Sequence, residues 1–416
     1  MKRFVCLLLA VALLCGCLAV AVHAEPDSAA AEAPANSKLQ FRQDGSFKII
    51  QVSDLQETFF CSTITQEWLY DMAARERPDL FVLTGDNIAG GGANWGTRAG
   101  AMFAVKHSID AFMNVFDRIY KDFGTPVTMV FGNHDNEDNH VGRAGQFAMY
   151  QRHKCFIGWA SGADRGTKDI HGEHYGTHNL LIYDHTGAAP AFNLWMFDSG
   201  SYDERGGYSY VQTPQIEWFN RTNALLGRLP SVAFQHIIVP EIYGLLTVTD
   251  ANDPNSFGGD RTFWDADGRE YKRYISRDLP AGVEGVLRES PCPAGQIDDA
   301  QYDALSGAGN VLALFLGHDH VNTFERRLGG ATDLVNTPCA GFGSYGNIDL
   351  RGVRVITLNE ADLSDYGTYT VEYQGFYGDS ALREARLKMF EKMGTPAIIF
   401  DVVSFKPLLW LGGLFK

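Results

Sequence analysis

Short apolar runs, each closed by a glycine or a polar turn, recur along most of the chain. FKIIQVS (47–53), DLFVLTG (79–85), PVTMVFG (126–132), LWMFDSG (194–200), SVAFQHIIV (231–239) and VLALFLG (311–317) are the clearest. Their length and their β-branched and aromatic content predict buried strands. Helical text lies between them. ITQEWLYDMAARERP (64–78) runs to a proline stop, and AVKHSIDAFMNVFDRIYKDFG (104–124) ends at Gly124. TPQIEWFNRTNALLG (213–227) opens with proline in its first turn and closes with glycine, the usual asymmetry of helix ends. Strands alternating with helices predict an α/β domain with a substantially parallel sheet. The span 251–293 is rich in Gly, Asp, Arg and Pro. With so little period it reads as a long surface insertion near the site. β-like text returns in VRVITL (353–358) and in TYTVEY, which ends at Tyr373, before a charged helix at 381–393. The tail 396–415 is apolar but broken by Asp401, Lys406 and two prolines. It is too interrupted to span a bilayer, so packing on the domain is expected ahead of lying on a membrane surface. No internal repeat is visible.

The first residues follow a different logic. Lys2 and Arg3 precede a run of leucines and alanines, the layout of an export signal over 1–24. V-H-A at 22–24 suits ordinary cleavage, while L-C-G-C at 14–17 resembles a lipoprotein box with Cys17 as its anchor. Both endings imply an exported protein, periplasmic or extracellular, and the second a membrane-anchored one. Residues 25–38 are small and polar and read as a disordered linker. A catalytic domain is expected over 39–380, followed by a helix and apolar tail over 381–416. The formal charge of −15 becomes −17 once Lys2 and Arg3 leave with the signal, which argues against nucleic acid as a partner. A small phosphorylated ligand stays compatible, because bound cations reverse the local field. Cleavage at Ala24 leaves Cys61, Cys155, Cys292 and Cys339. Their spacing has no metal-binding pattern, and one disulfide at most is expected.

What stands just behind the strands carries the chemistry. Asp54 follows the first, Asp86-Asn87 the second, Asn133-His134-Asp135 the third, His236 lies within AFQHIIVPE, and His318-Asp319-His320 follows LALFLG. Strand ends of α/β folds are where ligand sites gather. Carboxylate, imidazole and amide oxygen together suit divalent or trivalent ions. The set contains no cysteine, which excludes the usual structural zinc site.

Taken in order, SDLQ, TGDN, FGNHD, FQH and LGHDH resemble the motifs of the calcineurin-like metallophosphoesterase superfamily, over Asp54 to His320. The spacing and the glycine-rich GFGSYGNIDLRGVRVITL section look most like its purple-acid-phosphatase-related branch. The resemblance implies a central two-sheet β-sandwich of mixed strands flanked by helices. It implies two metal ions bridged by Asp86, the first held by Asp54, His320 and Gln56, the second by Asn133, His236 and His318. Their identity stays open among Mn, Zn, Fe and Ca or Mg. It implies that His134 is a general acid oriented by Asp135, and that phosphate monoesters are hydrolysed by a metal-bound hydroxide. Phosphodiesters are the alternative within that chemistry. Two departures matter. No tyrosine follows GDNIAG closely, so no purple iron–tyrosinate centre is expected. Glutamine stands at 56 where the family usually has histidine, which leaves three outcomes open: a shifted metal preference, a water in its place, or a silent phosphate- or partner-binding module.

Other candidates carry less. Arg98, in a glycine-rich stretch after the second strand, and Asn87 are guesses for substrate binding. Glu241 and Asn322 suit a supporting place. His107, His140, His153 and His185 read as structural or solvated. His171, His174 and His178 with Glu173 form a denser group that lines the mouth, binds an accessory ion or sits in a solvated loop, the last being expected first. The expected partner is a small phosphorylated substrate or a phosphoprotein, with peripheral membrane or lipid anchoring as a further expectation.

Overall fold

The computed structural model describes residues 38–59, 62–158, 175–257, 262–264, 269–295, 300–378 and 381–393. The leader, nearly all of the linker, Cys61, His171, Glu173, His174 and the apolar tail lie outside them. The strands of the two main sheets are β1 (Leu39–Gln40), β2 (Ser46–Val52), β3 (Leu80–Thr84), β4 (Val127–Val130), β5 (His178–Tyr183) and β6 (Pro190–Met196). They continue as β7 (Ser231–Gln235), β8 (Val311–Leu316), β9 (Glu325–Arg326), β10 (Asp333–Asn336), β11 (Gly352–Asn359) and β12 (Asp362–Glu372). The helices are α1 (Thr63–Glu76), α2 (Arg98–Phe123), α3 (Gly142–Tyr150), α4 (Thr213–Leu225), α5 (Gln301–Ala308) and α6 (Ala381–Met393).

One sheet runs β12-β11-β2-β3-β4, parallel across β2, β3 and β4 and antiparallel at β11 and β12. The other runs β1-β5-β6-β7-β8-β10-β9, parallel from β6 through β10. The expected two-sheet sandwich is therefore present. Alternation along each strand explains the layers. Phe47 and Ile49 of β2 and Leu80 and Val82 of β3 share a buried core with Leu194, Val232, Phe234 and Phe315 of the opposite sheet. Their neighbours Ile50, Val52, Phe81 and Leu83 turn the other way, onto Trp68 of α1 and Phe112 of α2. Trp195 and Leu314 pack outward against Trp218 and Phe219 of α4. Four layers result: helices, sheet, sheet, helices.

Several boundaries differ from the reading of the sequence. The helix expected at 104 begins at Arg98, because the Thr97 side chain accepts from Gly100 N at 3.1 Å and caps it. Its first turn, with Ala99 and Gly100, carries no apolar period. SVAFQ ends as a strand at Gln235, so His236 lies at the strand's end and not inside it. The insertion after 251 is not structureless. Ser256–Phe257 and Val248–Thr249 pair with Tyr274–Ser276, and Thr262–Trp264 pairs with Glu270–Lys272. Phe257, Ile275, Val283 and Leu287 are buried in the same core as Trp195. Four apolar residues at irregular spacing make a core without making a pattern. Helix α6 packs on α1, with buried Arg386 donating to Glu67 Oε2 at 3.0 Å. Cys155 and Cys339 are free thiols and buried, and Cys292 is buried as well. Among the described residues no helix is long and apolar enough to cross a membrane.

His178 is neither at the mouth nor solvated. It opens β5, fully buried, with Nε2 2.8 Å from Thr128 Oγ1 and Nδ1 2.8 Å from the Gly176 carbonyl. Burial pulls its pKa down to about 4. A histidine held neutral stabilises the fold above its unfolded value near 6.5, and that contribution is lost as pH falls towards 4. The full difference is roughly 3 kcal/mol at about 1.4 kcal/mol per unit. His178→Gln should therefore flatten the acid limb of stability between about pH 6.5 and 4, measured by denaturant unfolding. An unchanged slope would remove His178 from that role.

Candidate metal centre

Asp54 lies two residues beyond β2, Asp86 two beyond β3, Asn133 three beyond β4, His236 directly after β7 and His318 two beyond β8. Because β2, β3 and β4 are parallel neighbours, and β7 and β8 likewise, each sheet brings its carboxyl ends to one edge. The two edges then join. His236 Nδ1 lies 2.9 Å from the Thr84 carbonyl, and His318 N donates to Asp54 Oδ2 at 3.1 Å, both across the sandwich.

This approach needs two glycines. A Cβ on Gly132 would stand 2.2 Å from Asp86 Oδ1, and one on Gly317 would stand 2.1 Å from Ser53 Oγ. The turns are also tight. Asp54, Gln56, Asp86 and His318 have φ of 56°, 44°, 49° and 73°, a region uncommon for side-chain-bearing residues and found where function holds strain in place.

Two ligand groups form, with their donor atoms within 4.8 Å of one another: Asp86, His236 and His318, and Asp54, Asp86 and His320. Asp86 belongs to both. Its Oδ2 is 3.2 Å from His236 Nε2, and Asp54 Oδ1 is 3.2 Å from His320 Nε2. Asn133 Oδ1 joins the first group, 3.2 Å from His236 Nε2. The Nδ1 of His236 and the Nδ1 of His320 each face a backbone carbonyl, of Thr84 and of Tyr345, which turns each Nε2 to the centre.

Buried His318 Nε2 has no hydrogen-bond partner, and buried Asp54 Oδ1 has only the His320 ring close by. Such orphans are costly in a fold and call for an explanation. Cations supply one, and the donor set of carboxylate, imidazole and amide fits them. The electrostatics agree. Burial alone would raise the Asp86 carboxyl, yet His236 and the other imidazoles hold it far below the carboxylate range. Burial alone would lower His236, yet Asp86 and Asp54 push it up to about 9. Burial and His236 hold His318 well below its ordinary value, as a neutral donor.

Gln56 does not offer its oxygen. Its Nε2 donates to Asp86 Oδ2 at 3.3 Å. The Asp54 and His320 group is thus one donor poorer than the other.

His134 N donates to Asp86 Oδ1 at 2.8 Å, and its Nε2 lies 4.0 Å from Asp86 Oδ2. Asp135 does not orient it. Fully buried, Asp135 accepts from Gly132 N at 2.7 Å and Ile88 N at 3.0 Å, and burial, with Asp86 next, raises it to about 7. Glu137 Oε1 instead holds His134 Nδ1 at 2.9 Å. Residues 134–136 form a 3-10 turn, in which positions three apart eclipse and adjacent ones diverge. That spacing was readable in NHDNE, where Glu137 went unremarked. Asn87 is also spent on structure, donating to the Val130 carbonyl at 3.1 Å. Arg98 lies exposed in the first turn of α2, and no hydrogen bond or ion pair among the described residues ties it to the cluster. Asn322 fixes the His318–His320 segment, donating to Asp319 Oδ2 at 2.8 Å and accepting from Arg288 N at 2.9 Å. Tyr202, Tyr208 and Tyr345 beside the ligands had no sequence signal beyond their type.

An imidazole at 56 should complete the poorer group. Gln56→His is expected to tighten the weaker of two Mn or Zn sites at least roughly tenfold, the change that altering even an outer partner of a ligand brings. Equilibrium dialysis with elemental analysis reads this directly. Identical affinities would mean that position 56 stays outside coordination.

The calcineurin-like phosphoesterase family model matches residues 47–322. Relatives from Arabidopsis thaliana include "Probable inactive purple acid phosphatase 14", 26% identical over 356 residues, which cover 77% of each chain. "Probable inactive purple acid phosphatase 29" is 26% identical over 365 residues, 77% of this chain and 79% of that one. Among solved structures, a dimetal phosphatase from Danio rerio superposes with a TM-score of 0.45 at 14% identity, over 79% of this chain and 99% of that one. The family match runs from β2 through the last histidine pair and takes in every strand end that bears a ligand candidate; the chain belongs to the calcineurin-like phosphoesterase family and is a phosphoesterase, a hydrolase.

Proposed function

We propose that this chain hydrolyses phosphate monoesters at the centre formed by Asp54, Asp86, Asn133, His236, His318 and His320, with His134 delivering the leaving-group proton. The observation that carries the proposal is the sharing of buried Asp86 by two ligand groups beside His134. Two cations bound there would supply an activated water and neutralise phosphoryl charge. The chain's own residues do the rest. Asn133 adds an oxygen donor without adding charge. His134 stands with its side chain 39% exposed, on the side a substrate reaches from solvent. Glu137 Oε1, 2.9 Å from Nδ1, orients the ring, so that Nε2 is the nitrogen placed to serve the departing alkoxide. Tyr202 OH, 3.2 Å from Glu137 Oε1 and 3.0 Å from Asn133 Nδ2, ties the acid's partner to a ligand.

A silent binding module is the second reading, favoured by the amide nitrogen that Gln56 presents to Asp86 and by the word "inactive" in the names of the Arabidopsis relatives. His134→Ala separates the two. In the enzyme it should lower turnover of p-nitrophenyl phosphate by about 10²–10⁴ with the metal content unchanged, and Glu137→Gln should lower it less. Native protein loaded with Mn or Zn that leaves this ester and its bis ester intact would establish the silent reading. Turnover of the bis ester alone would make the chain a diesterase.

We propose, from the leader read at 1–24, that this activity lies outside the cytoplasm. Mass analysis of the native protein should find a chain beginning at Glu25 or a lipid-modified Cys17; an intact Met1 leader on soluble protein would overturn export.

A further inference from the structure

Each ligand group carries a tyrosine that is stacked on a neighbouring ring and still about half exposed. Tyr345 lies flat on His320, with ring centroids 4.0 Å apart and planes 4° apart, and it is 57% exposed. Its carbonyl accepts from His320 Nδ1 at 2.8 Å, and its hydroxyl donates to Glu289 Oε2 at 3.1 Å. The loop beneath it is clamped by buried Arg351, which donates to the Gly341 carbonyl and, at 2.7 Å, to the Ser344 carbonyl. At the other group Tyr202 stacks on Tyr208, centroids 5.8 Å apart and planes 27° apart, and is 46% exposed. Tyr208 in turn sets its ring against His318, centroids 4.2 Å apart. The Tyr202 hydroxyl is held between Asn133 and Glu137.

Single exposed rings are ordinary on a protein surface. These two are exposed and yet fixed, each by a stacked ring behind it and a hydrogen bond at its tip. Little freedom remains to be lost when a third ring settles against them. The ring-bearing ligand must also bring an anionic group, because both tyrosines stand directly beside the candidate metal ligands.

We infer that Tyr345 and Tyr202 select phosphate esters whose alcohol portion carries a planar ring, aryl or nucleobase, over aliphatic esters of the same chemistry. This rests on reading the centre as a phosphoester site. Two matched pairs test it: adenosine 5′-monophosphate against ribose 5-phosphate, and phenyl phosphate against cyclohexyl phosphate. Binding is measured by calorimetry on the Mn-loaded full chain carrying His134→Ala, so that ligands are not consumed. The ring-bearing member of at least one pair should bind about tenfold tighter, as one stacked base provides, and the pair that shows it tells nucleobase from aryl. Tyr345→Ala combined with Tyr202→Ala should collapse that ratio, and Tyr345→Phe with Tyr202→Phe should keep it. Reading the ratio within one variant cancels any general disturbance of metal loading. Equal affinities within both pairs, or a preference that survives the double alanine variant, would overturn the inference. Turnover of the same four compounds by the native chain is a separate reading. Ring preference without turnover sinks the enzyme and keeps the selectivity; turnover without preference does the reverse.

Discussion

Asp86 is a carboxylate with almost no access to water, set where the edges of two sheets meet. A buried charge is tolerated when opposite charge and hydrogen bonds surround it, and the rest of the centre follows from that need. His236 reaches it from the opposite sheet, the backbone of His134 donates to it, and Gln56 donates from beside it. The neighbouring strand ends must come within contact distance, which is why glycine stands at 132 and 317. The strained turns at Asp54, Asp86 and His318 are supported by the same crowding. Packing around the site fixes a local geometry that the isolated turns would not adopt.

Beneath the ligands a band of polar side chains separates the centre from the apolar layer between the sheets. Gln51 donates to Thr84 Oγ1 at 3.0 Å and accepts from Thr337 at 2.6 Å, and Thr128 meets His178. Ser53 donates to Asp54 Oδ2 at 2.5 Å. All of these groups are buried and bonded, so the network holds the ligand turns in place and admits few alternatives. The two sheets are joined here by polar contacts and further down by phenylalanine, leucine and valine.

The two halves of the centre are unequal. Asp86, Asn133, His236 and His318 give one group four donors, while Asp54, His320 and the shared Asp86 form the other beside a glutamine whose nitrogen faces inward. The acid side shows a similar exchange of parts. Asp135 is absorbed into the backbone of its turn, and Glu137 takes the place beside His134. Both features come from single side chains choosing between partners of comparable strength. Such choices depend on a few tenths of an ångström.

Much was legible in the chain. Runs of β-branched and aromatic residues gave the strands that bear the site, because burial on both faces demands continuous apolar text. The ligand candidates were legible because each stands directly behind such a run. The two guesses for substrate contact were not supported in kind: Asn87 turned to a backbone carbonyl and Arg98 to solvent. The insertion after 251 read as loop because its four core residues are irregularly spaced. Sequence by itself determined the strand order of chemistry, from Asp54 to His320, and the choice of donor types. Tertiary structure alone decided how close those donors come to one another, which way the Gln56 amide turns, and that Tyr345 and Tyr202 stand beside the ligands. These contacts join residues as far apart as 54 and 320, and local preference has no means of encoding a distance between them.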